Sequence, residues 1–213
     1  MTHTLHRRTD IDGEKEDFVI LCMAAQKFND QGACEKLKKI FRLVADTNPD
    51  NLADDNLGGR YTGYTDEEIL EHMGDKAYVG AAFSDRSRLR EALRKIKEAD
   101  LGMSVVVSGD YKTVFEILKE IGLKPHTVNM SLGLFGKQAL LPRREVLAIA
   151  TMCGHGMVTK QRIENVIEDV KSGRLTPEKG GKMLASTCTC GIFNPRIAVE
   201  VLRRTSKKEK GSG

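Results

Sequence analysis

Three of the five cysteines fall, together with one histidine, in two short motifs in the C-terminal third of the chain. Cys153 and His155 stand in "MCGHGM", and Cys188 and Cys190 stand in "STCTCGIF". The residues between the motifs have the pattern of two helices, and the two ends of a helical hairpin can meet in space. Four converging thiol and imidazole groups suit zinc or an iron–sulfur cluster, because both prefer thiolate with some imidazole. We therefore expect these four residues to be the metal and cofactor ligands.

Each motif lies a few residues before a predicted helix start. Helix N-termini present unpaired N–H groups and a positive dipole end, which lower the pKa of a thiol and stabilise an anionic cluster. Gly154, Gly156 and Gly191 would let the backbone approach the sulfurs closely. The surroundings therefore favour thiolates at both motifs.

Charge is unevenly distributed along the chain. Residues 143–213 contain 14 Lys and Arg against 7 Asp and Glu, a net charge of +7, whereas residues 1–142 have a net charge of −3. A cluster with several thiolates is an anion that this excess could compensate. A basic region could also bind an acidic partner or nucleic acid, or could be a solvated surface with a basic tail.

Simpler interpretations stay open for each of these side chains. The three cysteines could be small buried hydrophobic residues, and His155 could be a helix cap or bond to the backbone. Cys22 lies within an apolar run and Cys34 within a predicted helix, so both are expected to be structural. Either could supply a fourth ligand if the two parts of the chain fold together.

The C-terminal motifs also resemble a known family. The stretch "CGHGMVTKQRIENVIEDVKSGRLTPEKGGKMLASTCTCGIFNPRIAVEVLRR", within residues 150–204, resembles the small helical [2Fe-2S] domain of bacterioferritin-associated ferredoxin. That family has C-x-C before a helix, then about thirty residues, then C-x-x-C and a final helix. The resemblance places Cys153 on the first family cysteine and Cys188 on the third, and it implies a helical iron–sulfur domain.

Two departures from the family pattern bear on the type of cluster. His155 stands in place of the second cysteine, and Gly191 stands in place of the fourth, with Cys190 one residue early. Three thiolates with His155 could hold a [2Fe-2S] cluster, whose potential the imidazole would raise. Three thiolates alone could hold a [4Fe-4S] cluster with one open iron, able to bind a substrate or a sulfur atom.

The sequence before Pro142 predicts a small α/β domain. "AYVGAAF", "MSVVVSG" and "HTVNMSL" have the apolar pattern of strands, and two capped amphipathic helices separate them. Strands that alternate with helices imply right-handed crossovers and a mainly parallel sheet. "DFVILCMAA" fits a strand or the start of a helix, and the Asn-, Asp- and Gly-rich stretch 48–65 is typical of a long loop.

After Pro142 the pattern is helical only. Thr159 is a candidate cap of one helix, and the pairs Thr176-Pro177 and Asn194-Pro195 are typical of two further helix starts. We therefore divide the chain into a flexible N-terminal segment (1–16), an α/β domain (17–142), a helical iron–sulfur-binding domain (143–205) and a basic tail (206–213).

Composition narrows the functional classes. The chain is 40% hydrophobic and 30% charged, as in ordinary globular proteins, and its longest apolar run is too short to span a bilayer. The N-terminal residues do not have the pattern of a secretory signal, and an odd number of cysteines does not favour a disulfide framework. We therefore expect a cytoplasmic protein without membrane contact.

The first functional hypothesis is an iron–sulfur protein that transfers electrons to a redox partner protein or senses redox state. The second is an enzyme that uses a [4Fe-4S] cluster with an open iron as Lewis acid or sulfur carrier. The third is a zinc-stabilised interaction or regulatory module. Few aromatic residues and no single basic recognition face argue against nucleic acid, and a homo-oligomer stays open.

Overall fold

Five strands form one sheet in the computed structural model, which describes Arg7 and residues 16–208. The strands are β1 (Phe18–Met23), β2 (Asn51–Asp54), β3 (Gly58–Gly59), β4 (Tyr78–Phe83) and β5 (Ser104–Ser108). The first helices are α1 (Cys34–Ala45), α2 (Asp66–His72), α3 (Arg86–Ala99) and α4 (Tyr111–Glu120). The last are α5 (Arg144–Ala150), α6 (Lys160–Lys171), α7 (Pro177–Ala185) and α8 (Pro195–Lys208).

The sheet is antiparallel, so the prediction of a mainly parallel sheet is wrong. The strand order is β3-β2-β4-β1-β5, and every neighbouring pair runs antiparallel. The strand–helix–strand units are nevertheless present, because β1 and β2 share one direction and β4 and β5 share the other. Each unit is split by a strand of the other unit, as in the split β-α-β arrangement. Periodicity predicted the unit of β4, α3 and β5, but neither the unit of β1, α1 and β2 nor the interleaving of the two.

Helices cover both faces of the sheet and create two cores. One side of β1, with Phe18 and Ile20, packs against α1, α3 and α4. Its other side, with Val19 and Leu21, packs against α5 to α8. The alternation of side chains along a strand thus joins the helical C-terminal part to the sheet through a shared core.

Side-chain caps set the starts of five helices, α3, α4, α6, α7 and α8, at the places where the sequence predicts them. In each case a side-chain oxygen accepts a hydrogen bond from the backbone N–H two or three residues later, which satisfies a donor that has no partner within the helix. The capping residues are Asp85, Asp110, Thr159, Thr176 and Asn194.

Three local predictions need correction or completion. "DFVILCMAA" is a strand, β1, rather than a helix start. The stretch 48–65 is not one long loop, because it contains β2 and β3. "HTVNMSL" forms no strand: residues 124–143 have no regular structure beyond a single 3-10 turn at Gln138–Leu140, and all of them except Pro142 are exposed.

Some of the predicted segments fall outside the described residues. Of the N-terminal segment 1–16, only Arg7 and Glu16 are described, and the basic tail is described as far as residue 208. Among the described helices, none has the length and apolar character needed to cross a bilayer.

Candidate metal centre

The two cysteine motifs occupy loops at the ends of a helical hairpin. Cys153 lies in the turn after α5, where its N–H donates to the carbonyl of Ala150 (3.1 Å), and Cys188 lies in the turn after α7, where its N–H donates to Ala185 (2.9 Å). Helices α6 and α7 pack against each other between these turns. We call residues 151–158 and 186–194 the thiol loops, and the hairpin brings them side by side.

The three sulfurs of these loops form a buried row. Cys188 is in the middle: its thiol hydrogen-bonds with that of Cys153, and its Sγ lies 3.6 Å from Sγ of Cys190. All three residues are at most 5% exposed. Two thiolates on one tetrahedral metal with metal–sulfur bonds of about 2.3 Å would lie about 3.8 Å apart. The Cys188–Cys190 pair therefore already has the spacing of two ligands.

Backbone N–H groups of the thiol loops donate hydrogen bonds to all three sulfurs. Two of them donate to Cys153, and one each donates to Cys188 and Cys190. The donors are His155, Val158, Phe193 and Ile192. These donors precede α6 and α8 rather than belonging to the first helical turns, so the loops themselves supply the N–H···S bonds. Such bonds stabilise the thiolate form.

The hydrogen bonds along the row give the three thiols different acidities. The hydrogen bond between Cys188 and Cys190 lowers the pKa of Cys190. The hydrogen bond between Cys153 and Cys188, followed by burial, raises the pKa of Cys153. That bond lowers the pKa of Cys188, but the bond to Cys190 and burial outweigh it and raise the pKa to about 11. The negative charge therefore forms first at Cys190.

Two exposed side chains extend the row at Cys190. One ligand atom each of Asp55, His155 and Cys190 lie within 4.8 Å of one another, and in residues 16–208 this is the one such set found. The structure thus places His155 beside Cys190, one of the three cysteines with which the sequence groups it. Asp55 was missed, because nothing in "ADDN" distinguishes it from Asp54, whose buried carboxylate instead accepts from the backbone of Asn56 and Tyr78.

A buried tyrosine hydroxyl beside the row has no hydrogen-bond partner among the described residues. Tyr78 begins β4, and its Oη is inaccessible to solvent. Burial raises the pKa of Tyr78, and the nearby Cys190 and Asp55 raise it further. A buried hydroxyl without an acceptor costs about 1–3 kcal/mol. A bound group with acceptor atoms, such as a sulfide, would remove this cost, so the hydroxyl fits a ligand at the thiols.

Arg7 ties the two thiol loops together. Its Nη1 donates to the carbonyls of Met152 and Ile192, both at 2.9 Å. Its Nη2 and Nε bind the carboxylate of Asp17 at 2.5 and 3.0 Å, and both side chains are almost fully buried. One guanidinium therefore holds the backbone at Met152, next to Cys153, and at Ile192, two residues after Cys190.

The Cys190 loop lies directly on the backbone of the sheet. A Cβ at Gly80 would be 2.0 Å from the carbonyl oxygen of Cys190, and a Cβ at Gly191 would be 2.6 Å from the carbonyl oxygen of Gly80. Gly191 also has a positive φ of 72°. Glycine is therefore required here for contact between the loop and the sheet, rather than for approach to the sulfurs.

The remaining cysteines do not join the row. Cys22 belongs to the core on the opposite face of the sheet, where burial raises its pKa to about 12. Cys34 donates to the carbonyl of Met73 at 2.9 Å. Both have the structural surroundings that the sequence predicts.

Comparison with known proteins gives no match for this chain among family models, curated proteins or solved structures. The resemblance of residues 150–204 to bacterioferritin-associated ferredoxin therefore stays a prediction from the sequence motifs.

Proposed function

We propose that this protein holds an iron–sulfur cluster in the thiol loops and uses it to transfer single electrons or to sense redox state. The proposal is supported chiefly by the row of three buried sulfurs that continues to His155 and Asp55 at the surface. The donors extend beyond the coordination shell of a single tetrahedral ion, since His155 and Asp55 gather around Cys190 at one end of the row. A centre with more than one iron matches such an extended set better.

Each residue of the site has a distinct role in this proposal. Cys153, Cys188 and Cys190 would hold the cluster, and His155 would supply a fourth ligand at the exposed end. The loop N–H groups would lower the negative charge on the sulfurs, and Tyr78 would donate its unpaired hydroxyl hydrogen. When bound, the cluster would supply a one-electron redox couple. The residues around it would exclude water and influence its potential.

Exposure of the site is one-sided, which would determine where electrons enter. The sulfurs are buried, whereas Asp55 and His155 are exposed at the mouth of the site. A redox partner protein would therefore dock over this mouth. We also propose that the protein acts in the cytoplasm, where thiols stay reduced.

The test is anaerobic reconstitution with iron and sulfide of the intact chain and of two matched variants. The wild type should become brown, contain iron and acid-labile sulfide, and give an EPR signal on reduction. Cys188→Ser removes the central sulfur and should abolish these signals, whereas Cys34→Ser should retain them. A colourless wild type, or equal cluster content in Cys188→Ser, would contradict the proposal.

Zinc is the second candidate, and the grouping of Asp55, His155 and Cys190 within 4.8 Å favours it specifically. Carboxylate, imidazole and thiolate are all zinc ligands, and one further sulfur would complete a tetrahedral site. This alternative predicts one zinc ion per chain that competes with iron, no redox activity, and its loss in Asp55→Ala. An iron–sulfur cluster held by cysteine and His155 should survive Asp55→Ala.

A further inference from the structure

The segment between α4 and α5 exposes a long series of large apolar side chains. We call residues 124–143 the linker. Soluble proteins rarely leave such residues clustered in water unless the surface binds something. Leu132 is 83% exposed and Phe135 80%. The exposed apolar residues of the linker are Val128, Met130, Leu132, Leu134, Phe135, Leu140 and Leu141.

The first part of the linker has the pattern of a strand but lacks a partner. Val128, Met130 and Leu132 alternate with polar residues, as in a strand with one apolar face. Within the described part of the chain, no backbone–backbone hydrogen bond is found for residues 124–135. Apart from the N–H of Gly133 and the carbonyl of Leu134, which pair with side chains of the linker, its backbone donors and acceptors are therefore left to solvent or to another molecule.

The sheet has one open edge. At one end the edge strand β3 is only two residues long, and the turn after it pairs with its backbone: the N–H of Gly59 donates to Oγ1 of Thr62 at 2.8 Å, and its carbonyl accepts from the N–H groups of Thr62 and Tyr64. At the other end β5 exposes Ser104 and Val105, the latter by 36%, and no described strand pairs with its outer side. Its sequence, "SVVVS", contains none of the charges or prolines that protect open edges.

We infer that this protein forms a two-fold symmetric dimer in which residues 126–132 of each copy pair with the outer edge of β5 in the other. An open edge and an unpaired strand-like segment occur together in one chain, so two copies complete each other and leave neither unpaired. Addition of an extended segment to a sheet edge is a common mode of recognition. The exchange is isologous, and therefore closes at two copies.

Charge and area support a second copy as the occupant. Neither residues 126–135 nor β5 contain a Lys, Arg, Asp or Glu, so like charges are not brought together. Within the paired segments, the exposed apolar residues Val128, Met130, Leu132 and Val105 would bury about 100 Å² each, or about 400 Å² per chain. Contact of the partner with the four other exposed apolar residues of the linker would raise this to about 800 Å² per chain, which is the size of a standard interface.

The test is analytical ultracentrifugation of the intact chain over a range of concentrations, with variants on both sides of the contact. The wild type should dimerise. Val105→Lys places a charge on the β5 edge and Leu132→Asp places one on the linker, and each should weaken the dimer by about tenfold or more. Phe28→Asp is the control, since Phe28 is 92% exposed in a different loop, and it should leave the dimer unchanged.

Amide hydrogen exchange distinguishes this dimer from a monomer and from a dimer with a different interface. Protection of residues 127–132 should rise with protein concentration in the wild type and be lost in Val105→Lys. A wild type that stays monomeric up to its solubility limit would overturn the inference, whether or not the segment is protected within its own chain. A dimer that neither substitution weakens would overturn it too, since its interface would lie elsewhere.

Discussion

The thiol loops and the linker are both irregular stretches rich in apolar residues, yet they lie in opposite environments. Met152, Ile192 and Phe193 of the thiol loops are at most 1% exposed, whereas Leu132 and Phe135 of the linker are at least 80% exposed. Apolar content therefore does not decide which loop is buried. The difference lies in the partners of the backbone.

In the thiol loops, the polar groups of the backbone have partners inside the chain. The carbonyls of Met152 and Ile192 accept from Arg7, and that of Phe193 accepts from Asn51 at 3.0 Å. The N–H groups that point inward donate to the cysteine sulfurs. A buried loop without such partners would be unstable. The thiols therefore help to bury their own loops, apart from any metal that they bind.

Removal of Arg7 should be the strongest way to disrupt this arrangement. Arg7→Met leaves the carboxylate of Asp17 buried and two loop carbonyls without donors, so we expect the free energy of unfolding to fall by about 3–5 kcal/mol. Urea denaturation monitored by circular dichroism measures the change. Cluster content should fall as well, because both thiol loops lose a shared support.

Arg60→Met is the matched control for Arg7→Met. Arg60 pairs with Asp66 at 2.6 Å, but both side chains are partly exposed, so the loss should be about 1 kcal/mol or less. Equal losses in the two variants would show that Arg7 does not act as a buried support of the thiol loops.

A methyl group at Gly191 should be the next largest disturbance. Gly191→Ala combines a positive φ with a Cβ placed 2.6 Å from the carbonyl of Gly80, and should cost about 3 kcal/mol. Gly156→Ala measures the cost of the positive φ alone, because Gly156 has a φ of 71° and an added Cβ would have no atom within 4 Å. It should cost about 1 kcal/mol.

The difference between the two glycine variants measures how tightly the Cys190 loop is pressed on the sheet. Both free energies come from the same denaturation experiment. If the two variants lose the same stability, the contact between Gly191 and Gly80 contributes nothing, and the loop is less firmly held than the structure indicates.

Metal binding by the thiols should strengthen as pH rises. The pKa of Cys153 is raised and that of Cys188 is about 11, so at neutral pH both thiols are protonated and must release a proton on binding. Below those pKa values, the two protons released by Cys153 and Cys188 should therefore increase the affinity by at least about 100-fold per pH unit. Titration with Co²⁺ between pH 6.5 and 8, read from thiolate absorption, measures this slope. An affinity independent of pH would mean that the thiols are not the ligands.

Much of the fold follows from the sequence because local signals agree with the final structure. Leu37, Ile40, Phe41 and Val44 have helical spacing and form the buried face of α1, and Thr159 caps α6 as the sequence predicts. Interleaving of the strands has no local signal, because β4 lies between β1 and β2 owing to tertiary contacts. The parallel sheet was inferred from sequence order alone, and failed for this reason.

The site was predictable in part for the same reason. Cysteines at the ends of a helical hairpin are visible in the sequence, and so is their approach. Asp55, Tyr78 and Arg7 come from segments far away along the chain and meet the thiols only through the sheet and the core. Nothing in their local sequence differs from that of ordinary surface or strand residues.

The predicted strand "HTVNMSL" is the informative failure of the sequence interpretation. Its alternation is that of a strand, but in the described part of the chain it pairs with no strand. The pattern is explained if its partner is the β5 edge of a second copy, which the sequence of one chain cannot reveal.

Substitutions in the linker should have the smallest effect on a single chain. At concentrations where the protein is monomeric, Phe135→Ala should change the free energy of unfolding by less than about 0.5 kcal/mol, because the ring lies in water. Phe193→Ala, in a thiol loop, removes a fully buried ring and should cost about 3–5 kcal/mol. Urea denaturation in dilute solution compares the two variants.

The same experiment at high protein concentration tests the dimer. The free energy of unfolding of the wild type should rise with protein concentration, because dimerisation stabilises the folded chain. The rise should be smaller for Phe135→Ala. If Phe135→Ala is as destabilising as Phe193→Ala in dilute solution, the linker packs on its own chain, and the contrast between the two loops disappears.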